Sequence, residues 1–129
     1  MNKIIVEVSV GELLDKISIL EIKQEKIKSQ DKLKFINLEH KILKEQLNQN
    51  VKTDEKLENL FQSLKDINAK LWVIEDDKRQ CEKDKDFGEK FIKLSRDVHF
   101  LNDDRAKIKL EMNNHTGSKI KEIKEYTSY

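Results

Sequence analysis

The sequence of 129 residues is poor in the residues that interrupt helices, with no proline and only three glycines. Proline removes a backbone donor and glycine costs conformational entropy, so a chain short of both favours long helices over a compact α/β core. The one cysteine, Cys81, excludes a disulfide within the chain and is typical of proteins from a reducing compartment.

The chain also lacks an excess of either charge, since 26 lysines and arginines face 25 aspartates and glutamates for a net charge of +1. A balanced chain has no strong electrostatic attraction for nucleic acid or an anionic membrane. Before Glu7 only three apolar residues stand together, too few for a signal-peptide core or a membrane span. We therefore expect a cytoplasmic protein that binds no nucleic acid and does not insert into membranes.

Charged residues make up 40% of the chain, against a typical quarter, and apolar residues recur in steps of three and four. This pattern predicts an all-α fold, an antiparallel bundle of long hairpin helices that forms one domain over residues 1–129. The predicted helices span about residues 10–28, 31–48, 54–82 and 87–116. Long, coiled-coil-like apolar seams on such polar helices favour packing against a second copy, so we expect a homodimer.

Short segments flank the predicted helices at both ends of the chain. The β-branched KIIVEV at residues 3–8 predicts a short strand or an extended arm. The tail SKIKEIKEYTSY at residues 118–129 is either extended or a frayed helix. An extended tail would be able to pair with KIIVEV.

Several residues are placed to cap the predicted helices. SVGE at residues 9–12 and DFGE at residues 86–89 both match the capping box, in which each end residue bonds the other's backbone amide. Thr53 or Asp54 is placed to cap the third helix, and Gly117 to end the fourth.

Arg105 stands in the apolar seam of the fourth predicted helix, between Leu101 and Ile108. A buried guanidinium needs a carboxylate or a bound anion as its partner. A hairpin of the third and fourth helices would bring Arg105 level with Asn68. On the first helix, Glu21 and Asp15 are the candidate carboxylates, and Glu21 is favoured because it follows apolar residues by four and seven positions, whereas Asp15 also fits an ordinary surface charge. The alternative is that Arg105 lies at the edge of the seam and extends its guanidinium into water.

The third helix carries a polar row beside its apolar stripe, at Asn68, Trp72, Glu75 and Arg79. The fourth helix carries a similar flank: Ser95, His99, Asn102, Ala106, Lys109 and Asn113. Two such flanks that meet would line a groove with an aromatic wall and converging hydrogen-bonding groups, which is typical of ligand sites. The alternative is an i,i+4 salt bridge of Glu75 with Arg79 on a solvated face, with Trp72 in the core.

Motifs of metal sites and enzymes are missing from the sequence. The three histidines form no HxxxH pair, and Cys81 has no CxxC partner. There is no GxxxxGK loop, no GxSxG elbow and no ExxH motif of di-iron bundles. The sequence therefore predicts no metal, no cofactor and no catalytic residue, and it leans against an enzyme.

Three blocks of sequence carry a resemblance to a known family: VSVGELLDKISILEIK at residues 8–23, LWVIEDDKR at residues 71–79 and LNDDRAKIKLEMNNHTGS at residues 101–118. Together they resemble an uncharacterised family of short bacterial proteins, a domain of unknown function, over nearly the whole chain. The resemblance implies no known reaction. It implies a link to sugar transfer or surface-polysaccharide genes.

The preferred interpretation is a protein that binds a small anionic metabolite, such as a sugar phosphate or nucleotide-sugar, in a polar groove between helices. The candidate binding residues are Arg105, Arg79, Lys109, Trp72, Glu75, Asn102, Asn113 and Glu21. One alternative is an adaptor that docks a partner such as a glycan-pathway enzyme. A less favoured one is a chorismate-mutase-like enzyme, since the first helix lacks the arginine that family has near its start.

Overall fold

The computed structural model describes residues 2–129, so Met1, the first residue of the predicted domain, lies outside it. Four helices follow one another: α1 (Val10–Lys26), α2 (Gln30–Asn50), α3 (Glu55–Asp84) and α4 (Glu89–Thr116). Residues 2–129 contain no strand. The all-α bundle is confirmed, and each helix begins and ends within about two residues of its predicted bounds.

The first helix lies at the centre of the bundle. α1 packs against all three other helices, while α2, within the described residues, packs against α1 alone. α3 and α4 form a long antiparallel hairpin, and α1 lies against one face of it. This arrangement explains why α1 is apolar on more than one side and α2 buries only Leu47.

The hydrophobic core lies where α1 covers the hairpin. Its buried members are Leu13, Leu14, Ile17, Leu47, Leu57, Leu64 and Met112. At 1.5 Å per residue α1 is about 26 Å long, whereas α3 is about 45 Å long. Gly11, at the start of α1, bonds Asn113 near the end of α4. The excess length of the hairpin therefore lies towards the α3–α4 turn, where α1 no longer covers it.

Side-chain caps begin the first three helices. Ser9 Oγ accepts from the Glu12 amide at 3.0 Å, and Asp54 Oδ1 accepts from the Leu57 amide at 2.8 Å, as predicted. The SVGE capping box is only half formed, because the Glu12 carboxylate accepts from Lys109 Nζ at 2.8 Å. A buried ammonium attracts this carboxylate more strongly than a neutral amide does.

The predicted DFGE capping box is wrong. α4 begins two residues later than predicted, at Glu89, and its N-cap Gly88 has no side-chain hydrogen bond. Asp86 Oδ1 instead accepts from the Gly88 amide at 3.1 Å, which closes a tight turn before the helix. At its other end α4 stops at Gly117, whose φ of 68° is the left-handed conformation expected there.

The predicted pairing of the two chain ends is wrong. The tail folds back along α4 through side chains: Lys121 bonds Asn114 at 2.7 Å, and the Tyr129 hydroxyl bonds Asp103. A strand presents one face every second residue, but the apolar tail residues recur every third residue, from Ile120 to Tyr129. The tail therefore has no apolar face suited to a strand pair.

None of the helices within residues 2–129 has the length and apolar character that crossing a membrane requires.

Candidate functional site

Asp15 of α1 is the centre of a buried polar network. Its side chain is 2% exposed, and it accepts from Arg105 Nε at 3.0 Å and from Arg105 Nη2. Asn68 Nδ2 donates to the same carboxylate at 2.8 Å. Arg105 and Asn68 lie level with each other, as the hairpin register predicted, and Asp15 joins them to α1.

The prediction that Glu21 is the carboxylate partner of Arg105 is wrong. Glu21 lies on a different side of α1, where its carboxylate contacts His40 Nε2 at 3.0 Å and Lys65 Nζ at 3.5 Å. α1 has neighbours on three sides, so apolar residues four and seven positions away did not indicate which helix Glu21 faces. Asp15, which the sequence also allowed to be a surface charge, is the carboxylate that pairs with Arg105 of α4.

Asn68 extends the network to a second residue of α1. Its Nδ2 also donates to Ser18 Oγ at 2.8 Å, and Ser18 donates to the Asp15 carbonyl at 2.8 Å. Within residues 2–129, no buried side-chain nitrogen or oxygen lacks a hydrogen-bond partner. The network therefore needs no ligand to satisfy its buried groups.

The pKa values of the network follow from its contacts. Burial raises the pKa of Asp15, but the hydrogen bonds from Arg105 and Asn68 and the charges of Arg105 and Lys109 lower it further, so it lies below the usual value. The hydrogen bond to Asp15 raises the pKa of Arg105 despite its partial burial. Asp15 and Arg105 are therefore both charged at neutral pH.

Lys109 and Asn113, both candidate binding residues, lie at the α1–α4 contact. Lys109 Nζ donates to Glu12 at 2.8 Å and to Glu122 of the tail at 3.3 Å. Burial lowers the pKa of Lys109, but the hydrogen bond and charge of Glu12 and the charge of Asp15 outweigh it and raise the pKa. Lys109 thus holds the helices and the tail together.

Asn113 fixes the start of α1. Its Oδ1 accepts from the Gly11 amide at 2.7 Å, and Ser118 Oγ accepts from the Val10 amide at 3.2 Å. A Cβ on Gly11 would lie 2.6 Å from the carbonyl oxygen of Lys109, so only glycine permits this approach. The first amides of α1 are thus occupied by the chain itself.

A groove opens beside the network, between the second half of α1 and the α3–α4 hairpin, with a volume of about 440 Å³. Its lining residues are Ile19, Ile22, Asn68, Leu71, Trp72, Glu75, Asp76, Arg79 and Arg105. The structure therefore brings together four of the candidate residues, Trp72, Glu75, Arg79 and Arg105. Lys109, Asn113 and Glu21 do not line it.

The charges around this groove are balanced. Arg79 Nη1 donates to the Glu75 carboxylate at 2.9 Å, the i,i+4 pair that the sequence allowed as an alternative. Asn102, the remaining candidate, accepts from Arg105 Nη1 at 3.4 Å. Arginine has five N–H donors, and these contacts of Arg105 use three of them. Its remaining donors are available where its side chain lines the groove.

The groove combines apolar, aromatic and charged side chains in one lining. An apolar wall carries an aromatic ring, and guanidinium and carboxylate groups stand around it. No cluster of three or more side chains able to hold a metal ion occurs in residues 2–129.

Sequence reasoning missed two features of this site. Asp15 was recognised only as one of two possible partners, although its spacing from Ser18 puts both on the α1 face that meets Asn68. Ile19 and Ile22 line the groove from α1. Their signal was present, since both lie outside the main apolar stripe and indicate a second apolar face.

Comparison with known proteins agrees with the resemblance drawn from the three sequence blocks. No curated protein and no solved structure matches the chain. A sequence model described as "Family of unknown function (DUF6165)" matches residues 4–129, which is nearly the whole chain. The chain therefore belongs to the DUF6165 family.

Proposed function

We propose that the groove between α1 and the α3–α4 hairpin binds a small molecule that carries a hydroxyl-bearing ring and a phosphate, such as a sugar phosphate or nucleotide-sugar. The observation that carries this proposal is the convergence of Trp72, Glu75, Arg79 and Arg105 on one groove of about 440 Å³. Small-molecule sites usually have volumes of about 300–1,000 Å³.

Trp72 supplies a surface for the ring of the ligand. It is half-buried beside Ile22 and Leu71, which are buried apolar residues in the lining of the same groove. Tryptophan contributes a large apolar surface at low conformational cost and stacks on flat or weakly polar faces. A sugar ring or a base laid on Trp72 would have its polar edges directed towards the charged groups.

The two arginines supply the contacts for a phosphate. Asp15 holds Arg105 in one orientation, so little side-chain entropy is lost when its outward N–H groups bind an anion. Arg79 is more exposed and, within residues 2–129, forms its one salt bridge with Glu75 on its own helix. Exchange of this exposed contact for a ligand phosphate costs little, because surface ion pairs are worth about 0–1 kcal/mol.

The carboxylates give the groove its selectivity. Glu75 and Asp76 line it together with the arginines, and Asp15 compensates Arg105 from behind. A bare phosphate dianion would bind the guanidinium groups but has no hydroxyl-bearing ring to donate to the carboxylates, whose negative charges repel it. A ligand with hydroxyl groups would donate to the carboxylates while its phosphate binds the guanidinium groups. We therefore expect sugar phosphates to bind more tightly than inorganic phosphate.

Fluorescence of Trp72, the one tryptophan in the chain, tests this proposal directly. Titration with a hexose 1-phosphate or a uridine diphosphate sugar is expected to change its emission, with inorganic phosphate as the weaker comparison. Arg79→Gln should weaken binding about tenfold or more, since hydrogen bonds to charged groups are worth about 1.5–3 kcal/mol. Arg96→Gln, an exposed change outside the groove lining, is the matched control. No emission change with any of these ligands, or equal losses of affinity in both variants, would contradict ligand binding in the groove.

An adaptor role is the second candidate, favoured by one feature of α2. Phe35, Leu38 and Ile42 stand 74%, 56% and 49% exposed at spacings of three and four, so they form one apolar face on a helix that packs only on α1. An exposed apolar helix face fits a groove on a partner protein. A glycan-pathway enzyme is the partner we propose, and Leu38→Glu is expected to abolish its co-purification while Trp72→Phe leaves it unchanged.

We also propose that the chain folds as one domain in the cytoplasm and acts as a homodimer. Cys81 is a free, buried thiol, as suits a reducing compartment. Fusion to a fluorescent protein followed by cell fractionation tests the location.

A further inference from the structure

The α3–α4 hairpin has a second groove, on the side away from Trp72. Its lining includes Lys70, Val73, Ile74, Asp97, Phe100 and Leu101, and its volume is about 640 Å³. Lys70 and Trp72 are two residues apart on α3 and so lie about 200° apart around the helix axis. The groove containing Val73 and Phe100 therefore faces away from the proposed ligand site.

No helix of the described chain covers this face, and the tail reaches it through the ring of Tyr129, which packs edge-on against Phe100 with 5.3 Å between the ring centroids. α1 packs against the hairpin on its other side, and α2 packs only on α1 within residues 2–129. Val73 remains 48% exposed and Phe100 39% exposed, with Ile74 and Leu101 between them. These side chains form a small apolar strip that a partner's apolar side chains could cover.

The charges at this groove indicate what covers it. Lys70 on α3 is the cation in the lining and Asp97 on α4 is the anion, so opposite charges stand on the two helices. Asp97 Oδ2 accepts from Lys93 on its own helix at 3.0 Å, which leaves its Oδ1 for another donor. A surface with a cation on one side of an apolar strip and an anion on the other is complementary to itself under a two-fold rotation.

We infer that this face binds a second copy of the chain about a two-fold axis through the groove. Lys70 of one copy then pairs with Asp97 of the other, and the same pair forms a second time with the roles exchanged. Val73 and Phe100 pack between the two salt bridges. The two α3–α4 hairpins then bury against each other apolar surface that remains exposed in each chain alone.

This dimer is independent of the proposed ligand site. The Trp72 groove lies on the opposite side of each hairpin, so both grooves in the dimer stay open to solvent. Failure of ligand binding therefore leaves the dimer proposal intact, and a monomeric protein would leave the ligand proposal intact.

Charge reversal with sedimentation equilibrium tests the interface. Lys70→Glu places Glu against Asp97 twice in the homodimer, and Asp97→Lys places Lys against Lys70 twice. Each variant alone is expected to dimerise at least about tenfold more weakly than the unchanged chain, because opposed like charges at an interface are costly. An equimolar mixture of the two variants should recover the dimer, since each heterodimer contact again joins opposite charges.

This recovery distinguishes an interface from misfolding, because two misfolded chains would not restore each other. Val73→Glu is expected to abolish the dimer, whereas Ile92→Glu, at an exposed α4 position outside this groove, should leave it unchanged. Circular dichroism confirms that each variant remains helical. An unchanged chain that stays monomeric up to about 100 µM would overturn the proposal. Two charge variants that dimerise as well as the unchanged chain, or a mixture that stays monomeric, would overturn it equally.

Discussion

Arg105 Nε donates to Asp15 Oδ1 at 3.0 Å and joins α4 to α1 across a sequence separation of 90 residues. The carboxylate is 2% exposed and the guanidinium 28%, so the pair stands at the boundary between the core and the Trp72 groove. One end of Arg105 is thus held by the protein, while its other end is available to the groove. This division would let one residue serve both the packing of α1 and the proposed ligand.

A double-mutant cycle measures what the pair contributes to stability. Asp15→Asn is expected to lower the free energy of unfolding by about 3–5 kcal/mol, because it leaves Arg105 without its carboxylate. Arg105→Met should also destabilise, and the double variant should lose less than the sum of the two, with a coupling of about 0.5–3 kcal/mol. Urea unfolding gives the values. Glu75→Gln, which breaks an exposed pair, should cost less than about 1 kcal/mol. Additive losses at Asp15 and Arg105 would contradict the coupling.

Acid should weaken the protein through Asp15. Its pKa in the folded chain lies below the value of about 3.9 expected when unfolded. A lowered folded pKa contributes stability that is present above the unfolded pKa and is lost as the pH falls through the folded pKa. The stability difference between the unchanged chain and Asp15→Asn should therefore be constant from about pH 5 to 7 and shrink below about pH 4. Urea unfolding at a series of pH values checks this, and a difference independent of pH would contradict it.

The sequence was sufficient for the helices and for one wall of the groove. Steps of three and four define helix faces, so the spacing of Trp72, Glu75 and Arg79 alone assigned them to one side of α3. The hairpin register placed Asn68, the first residue of that row, level with Arg105, and the two share Asp15 as a partner. Such local spacing is fixed by the 3.6-residue turn and needs no knowledge of tertiary packing.

The sequence was insufficient where several neighbours compete for one side chain. Lys109 belongs to the same flank of α4 as Asn102, yet it is held by Glu12 and Glu122 instead of facing the groove. The close approach of α1 to α4 at Gly11 brings Glu12 within 2.8 Å of Lys109 Nζ. The spacing of apolar and polar residues along the sequence does not determine the angle at which two helices cross.

Gly11→Ala tests how strongly this contact determines the bundle. The new Cβ would lie 2.6 Å from the backbone carbonyl of Lys109, and backbone atoms have little freedom to retreat. Overpacking of this kind costs about 1–3 kcal/mol, which should outweigh the better helix propensity of alanine. Gly88→Ala, whose Cβ would meet only a side-chain oxygen at 3.4 Å, should cost less than about 1 kcal/mol. Thermal unfolding compares the two. Equal effects would show that α1 and α4 have room to separate.

Glu75→Gln should change the affinity of the groove for inorganic phosphate more favourably than its affinity for a sugar phosphate. In the unchanged chain the Glu75 carboxylate competes with a ligand phosphate for Arg79, to which it bonds at 2.9 Å. Removal of its charge frees Arg79, so inorganic phosphate is expected to bind several-fold more tightly. A sugar phosphate should gain less or lose affinity, because glutamine accepts a hydroxyl more weakly than a carboxylate does. Glu111→Gln, an exposed change outside the groove lining, controls for net charge. Equal shifts for both ligands would mean that Glu75 acts on the groove only through its charge and makes no contact with the ligand's hydroxyl groups.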